Sequence, residues 1–174
     1  MDHHDQLEVA ALFDEYAVCA FRYARAMGLN GSEADDVVAE GFLRVWRSWH
    51  KFGARADFST WLYRIVRNLV MDMLRAESRR LNREQTAAKL GPKPAPETPE
   101  RQSEMKELRA EIETAIAALE PDRRSALLLV TAEGLSYHEA AAIEGISQSA
   151  LAARVFQARR AIRTYLVERG LLEV

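Results

Sequence analysis

Cysteine occurs once in these 174 residues, proline five times and glycine eight times, so little in the chain can staple or break it. One cysteine, Cys19, excludes an intramolecular disulfide and suits a reducing compartment; its place in an apolar helical pattern makes it a packed thiol. No apolar run approaches a membrane span, Ala126 to Val130 being far too short, so no membrane insertion is expected. The opening MDHHDQLE is acidic and lacks the apolar stretch of a signal peptide. These absences describe a soluble, cytoplasmic chain, long enough for one ordinary domain or two small ones.

Catalytic signatures are missing too. There is no glycine loop to cradle phosphate, and no nucleophile stands beside a plausible base. His138-Glu139 begins like a zinc-protease helix, but Ala142 occupies the place of the second histidine ligand. His3, His4 and Cys19 read as a mobile terminus and a core thiol. No enzyme activity, metal or cofactor is expected.

The net charge of −2 is the wrong sign for a nucleic-acid binder until it is divided by position. Residues 1–83 balance at 12 acids and 12 bases, residues 84–120 hold 8 and 5, and residues 121–174 hold 6 and 7. Basic residues gather locally at Arg75 to Arg83 and Arg154 to Arg163, so the isolated chain is expected to hold DNA weakly and to need a partner.

Four of the five prolines fall in Gly91-Pro92-Lys93-Pro94-Ala95-Pro96-Glu97-Thr98-Pro99. Proline removes backbone donors and steers its predecessor away from helix, so this segment reads as a flexible, semi-extended linker. Helical periodicity predicts helices over 6–27, 33–49 and 59–83 before it, and 103–119, 122–132, 137–144 and 148–168 after it. Ser32 with Asp35, and Ser136 with Glu139, have the spacing of capping boxes, while Gly28, Gly134, Gly145 and Gly170 stand where helices end. No segment alternates convincingly as a strand. The expected fold is all-α: two small helical domains, 1–83 and 108–174, with 84–107 as linker.

Two segments carry chemistry. In Asp57 to Arg80, Phe58, Trp61, Leu62, Ile65, Leu69 and Met73 recur at helical spacing as an apolar stripe, with Val37, Val38, Phe42, Val45 and Trp46 of the preceding helix also expected inward. Between the stripe residues stand Tyr63, Arg64, Arg67, Asn68, Arg75, Arg79 and Arg80, against which only Asp72 and Glu77 are acidic. A purely solvating face more often mixes its signs, so this one reads as a nucleic-acid face. From Leu135 to Arg163 the layout is that of a helix-turn-helix: Ala141 is small at the crossing, Gly145 permits the turn, Ile146 and Leu151 plug the shared core, and Ser147 caps the second helix. That helix offers Arg154, Arg159, Arg160 and Arg163, with Gln148, Ser149 and Gln157, to a major groove.

With both segments in view, the chain resembles the extracytoplasmic-function sigma factors, the minimal members of the sigma-70 family. Asp35 to Arg47, then Phe58 and Trp61-Leu62-Tyr63-Arg64-Ile65-Val66-Arg67-Asn68, look like that family's second conserved region. Leu119-Glu120-Pro121, Gly134-Leu135-Ser136-Tyr137, Gly145-Ile146-Ser147 and Ala158-Arg159-Arg160-Ala161 look like its fourth. The resemblance implies that Asp36, Glu40, Arg44 and Arg47 meet the β′ clamp helices of core RNA polymerase. It implies that Lys51, Phe52, Arg55, Tyr63, Arg64, Arg67, Asn68, Arg75, Arg79 and Arg80 engage the minus-ten element of promoter DNA, melting it and holding a flipped base. Ser147, Gln148, Ser149, Arg154, Gln157, Arg159 and Arg160 would meet the minus-thirty-five element, with this domain leaning on the β flap. An anti-sigma factor is the expected restraint, and the free chain is expected to be a monomer.

Extracting a base costs a few kcal/mol, which stacking of about 1–3 kcal/mol per base can offset. Trp49, Phe52 and Tyr63 are candidate stacking surfaces or core, and Asn68 can read a base edge or bond to backbone. Where relatives often carry a basic residue, a serine and another base, this chain has Ala152, Ala153 and Gln157, and Glu144 stands where leucine is common. Two readings stay open beside an initiation factor: a sigma-like decoy for an anti-sigma factor, and a simple helix-turn-helix regulator of operator DNA.

Overall fold

The computed structural model describes residues 3–52, 57–85 and 104–173. In chain order these form α1 (His3–Ala26), α2 (Gly31–Ser48), a short 3-10 turn (Trp49–Lys51), α3 (Phe58–Gln85), α4 (Glu104–Ala117), α5 (Pro121–Thr131), α6 (Tyr137–Glu144) and α7 (Gln148–Glu168). Among the described residues there is no strand, and the all-α expectation holds. The proline-rich segment Gly91 to Pro99 lies outside the described residues.

Local chemistry accounts for the helix ends. Asn30, not Ser32, caps α2: its side-chain oxygen accepts from the Glu33 amide at 3.0 Å, and the Glu33 carboxylate accepts from the Asn30 amide at 2.8 Å. Gly31 already belongs to the helix, so Ser32 lies inside the first turn, where it cannot cap. The expected box at the start of α6 is present, Glu139 accepting from the Ser136 amide at 2.8 Å and Ser136 Oγ from the Glu139 amide at 3.2 Å. The Ser136 hydroxyl, donating to the Glu139 carboxylate at 2.5 Å, and then the Ser136 amide hold that carboxyl below its usual range. Gly145, at φ 68°, closes α6 in the left-handed region and lets the chain swing into α7, which Ser147 caps through the Ala150 amide at 3.2 Å.

Helices α1, α2 and α3 pack as one body, and α4 to α7 as a second. The two are not separate: α3 also lies against α6, and one continuous apolar core runs from Val9 in α1 to Ala158 in α7. This second contact rotates α3 away from the stripe expected of it. Its buried apolar residues are Phe58, Leu62, Tyr63, Val66, Val70 and Met71, while Trp61, Ile65, Leu69 and Met73 are only half-buried. A helix with partners on two sides buries the strip between them, which a periodicity argument with one partner misplaces. Trp46, expected inward, is 40% exposed; Val37, Val38, Phe42 and Val45 on the same helix are buried as expected.

Candidate polymerase and promoter interfaces

The outer face of α2 is built by subtraction. Its apolar residues turn to α1 and α3, leaving Asp36, Arg44 and Arg47 exposed and Glu40 half-buried. Arg44 Nε donates to Glu40 at 2.8 Å one turn earlier, a pairing that presets both side chains. Exposed Leu43 and Trp46 share this surface, which therefore mixes charge with apolar area. Beside it, Phe13, Ala17, Val18 and Phe21 of α1 and Val38 and Ala39 of α2 line an open groove of about 360 Å³, with Val18 64% exposed. The sequence reading missed this groove, because Phe13 and Val18 fit an apolar helical pattern that sequence alone assigns to core.

After α2, four aromatic rings gather. Phe52 stacks on Trp49 and on Trp61, with centroids 5.4 and 5.0 Å apart, and meets Phe58 edge-on at 5.8 Å. All but Phe58 are half-buried, so the cluster is a platform with partly open edges. Arg55 and the Lys51 side chain lie outside the described residues.

Along α3 the expected nucleic-acid residues divide. Arg64, Asn68, Arg75, Arg79 and Arg80 are exposed. Arg80 forms a two-bond fork with Glu77 at 2.8 and 2.7 Å, and Arg75 reaches Asp72 at 3.4 Å, so Asp72 and Glu77 both pair within the helix. Tyr63 and Arg67, one turn apart, face the other way, into the second body. Tyr63 is 3% exposed and donates its hydroxyl to Glu133. Burial, then this bond, pushes the Tyr63 phenol well above its usual range, and burial also raises the Glu133 carboxyl.

Arg67 meets a polar cluster centred on Glu144, whose side chain is fully buried. Its Nη2 donates to Glu144 Oε2 and to Asp122 Oδ1, each at 2.9 Å, and its Nε to Glu144 Oε1 at 3.3 Å. Arg154 Nη1 donates to Glu144 Oε2 at 2.8 Å, and its Nη2 lies 3.6 Å from Asp122. Ser125 Oγ donates to Glu144, and Tyr23 Oη stands 2.7 Å from the same Ser125 Oγ. The serine has one proton, given to the carboxylate, so Tyr23 donates to Ser125. Two cations thus face two carboxylates, with a tyrosine-serine relay behind them.

A further cross-link joins backbone ends. Arg124 of α5 donates from Nη1 to the carbonyl of Met27, past the end of α1, at 2.8 Å, and from Nη2 to the carbonyls of Leu119 and Ala117 at the end of α4. These are carbonyls that finished helices leave unpaired, and a guanidinium also suits their negative partial charge. Burial lowers the pKa of Arg124 from its ordinary value. Gly28 is held close: at φ 106°, a Cβ there would stand 3.0 Å from Arg124 Nη1.

On α7, Gln148, Ser149, Gln157, Arg159 and Arg160 are exposed, as is Ser147 before it. Arg154 is not open with them, since it bonds Glu144 and Asp122 of its own body and staples α7 to α6 and α5. The sequence reading missed Phe156, 67% exposed, which with Ala152 and Ala153 makes the outward face apolar. Its signal was available: Ser149, Ala152, Phe156 and Arg160 are spaced to share one face.

Comparison with known proteins matches this architecture in both halves. The family description Sigma-70 region 2 matches residues 12–80, and Sigma-70, region 4 matches 109–162. The ECF RNA polymerase sigma factor SigE of Mycolicibacterium smegmatis is 32% identical over 158 residues, covering 90% of this chain and 61% of the relative. The RNA polymerase sigma-H factor of Pseudomonas aeruginosa is 34% identical over 140 residues, 76% of this chain and 72% of the relative. The sigma factor RpoE of Bartonella quintana, solved in complex with the anti-sigma factor NepR, shares the fold with a TM-score of 0.73 at 21% identity, covering 91% of this chain and 96% of that one. The two regions, in this order on an all-helical scaffold, place the chain in the extracytoplasmic-function group of the sigma-70 family.

Proposed function

We propose that the chain is a transcription initiation factor that joins bacterial core RNA polymerase in the cytoplasm and directs it to promoters. Residues 1–83 form the polymerase-binding and minus-ten unit, 84–107 the connector, and 108–174 the minus-thirty-five unit. Catalysis belongs to the polymerase. The observation that carries this reading is the division of labour along α2 and α3: an outward charged and apolar face on α2, then an aromatic platform, then exposed Arg64 and Asn68 one turn apart.

Asp36, Glu40, Arg44 and Arg47 meet the β′ clamp helices, with Leu43 and Trp46 adding apolar area at the centre of the contact. Lys51, Phe52, Arg55, Arg64, Asn68, Arg75, Arg79 and Arg80 engage the minus-ten element, the guanidinium groups tracking phosphate and the platform receiving an unstacked base. Ser147, Gln148, Ser149, Gln157, Arg159 and Arg160 face the minus-thirty-five element. Tyr63, Arg67 and Arg154 are engaged within the protein, and of these only Tyr63 and Arg67 are released when the two bodies part. The bound NepR in the Bartonella structure supports an anti-sigma partner here as well.

Run-off transcription with purified core polymerase on a promoter library tests the proposal. Polymerase-dependent starts are expected from the wild type and are expected to be lost on Arg64→Ala with Asn68→Ala. A wild-type chain that directs no start with active core, or that binds an operator without polymerase, overturns it.

A further inference from the structure

Promoter binding as proposed above requires the two bodies to reach separate DNA elements, yet in this structure they share a core and a charge cluster. We propose that the free chain rests in a closed state latched by Glu144, in which the contact that joins the bodies also withholds Arg67 from promoter phosphate. The inference rests on the initiation-factor reading for its consequence, and on the geometry of the cluster for its mechanism.

The cluster is asymmetric in a way that suits a latch. Glu144, Asp122, Ser125 and Arg154 belong to the C-terminal body and contact one another there. Arg67 alone among the charged members comes from the N-terminal body, and it completes the balance of two cations against two carboxylates. When the bodies part, Arg154 stays with both carboxylates, leaving one excess negative charge on α5 and α6. The N-terminal body is left with Arg67 uncovered and Tyr63 without its acceptor Glu133. Closed, each charge is matched; open, each body carries the charge that the other neutralised.

What replaces the carboxylates is chemically defined. A guanidinium that forks onto Glu144 and Asp122 presents the same donors to phosphate oxygens, so DNA phosphate and the latch compete for one group. Arg124 and Tyr23 add polar ties across the same boundary, to the Met27 carbonyl and to Ser125. These ties orient the closure without involving a group assigned to DNA. Opening is therefore an exchange of partners for Arg67, and the fraction of open chain scales the apparent affinity for polymerase.

The test uses the full chain, free and with purified core polymerase. Glu144→Gln combined with Asp122→Asn keeps side-chain size and removes both charges that hold Arg67. Small-angle scattering is expected to show a compact wild type and an expanded variant with unchanged helical content. Association with core is expected to accelerate about tenfold, as when an open fraction near 5% becomes about half. Wild-type scattering and association from the well-folded variant overturn the proposal. Should the variant lose helicity, Arg67→Gln, in the other body, takes its place, and unchanged scattering there overturns it equally. Failure of the initiation-factor reading looks different: scattering still responds to the substitutions, while neither protein directs a start.

Discussion

Two sets of arginines occupy this protein, and their surroundings give them different work. Arg75 and Arg80 pair along the surface of α3, with Arg75 60% exposed, and Asp72 and Glu77 are exposed beside them. Arg67, on the same helix, is 11% exposed and faces a carboxylate with no solvent contact. In water an ion pair gains little, because each charge is nearly as well solvated apart. Around Glu144 the carboxylate has already lost its water, so removing a cation strands a buried charge. The same residue type is thus loosely held at the surface in one place and a structural tie in another.

The sharpest way to break that comparison is to delete one arginine from each set. Arg67→Met is expected to destabilise the chain by about 1.7 kcal/mol, the most that opening a latch with an open fraction near 5% allows, against at most about 0.5 kcal/mol for Arg75→Met, measured by urea unfolding. Equal losses would mean that burial does not separate the two sets. Next in size is a cap: Asn30→Ala is expected to cost about 1 kcal/mol, while Ser32→Ala, inside the first turn, leaves the unfolding midpoint nearly unchanged.

The comparison extends to α7. If Arg159, Arg160 and Arg163 of the last helix neutralise about three phosphates, the log-log salt slope of its promoter affinity is roughly −2.7, and Arg160→Ala is expected to reduce it by about 0.9. Arg154→Ala, which cuts the staple to Glu144, is expected to lower Tm and leave the slope near the wild-type value. A slope change on Arg154→Ala matching that of Arg160→Ala would return Arg154 to the DNA face. The smallest effect is at Glu133, whose carboxyl pKa burial raises. A raised carboxyl means that the closed state binds the proton more tightly, so its stability falls as pH rises from the unfolded value through the raised one. Glu133→Gln, which keeps an acceptor for Tyr63, is expected to flatten that acid-side dependence in thermal melts while changing neutral-pH stability little.

Helix placement was legible because period and punctuation are local. Gly145 and Ser147 bracket the turn between α6 and α7, and both behave as their chemistry requires. The cap of α2 was misread by two residues, since Asn30 and Ser32 are both good caps and only the backbone decides which one stands outside the helix. Arg64 and Arg67 look alike in sequence, three residues apart, but α6 covers one and solvent the other. Glu144 is an unusual residue for a helix crossing, yet nothing local reveals that one of its partners, Arg67, lies in another body, 77 residues earlier.

By itself the sequence determined the helical class, the order of its two modules and the chemistry on offer, because propensity, capping and hydrophobic period act over a turn or two of chain. Only the tertiary structure decided which of those groups remain on offer. Contact between α3 and α6 turns Tyr63 and Arg67 inward, and contact between α6 and α7 takes up Arg154. Such pairings depend on residues far apart in the chain meeting in space, and a buried charge accepts only the partner that the packing brings to it.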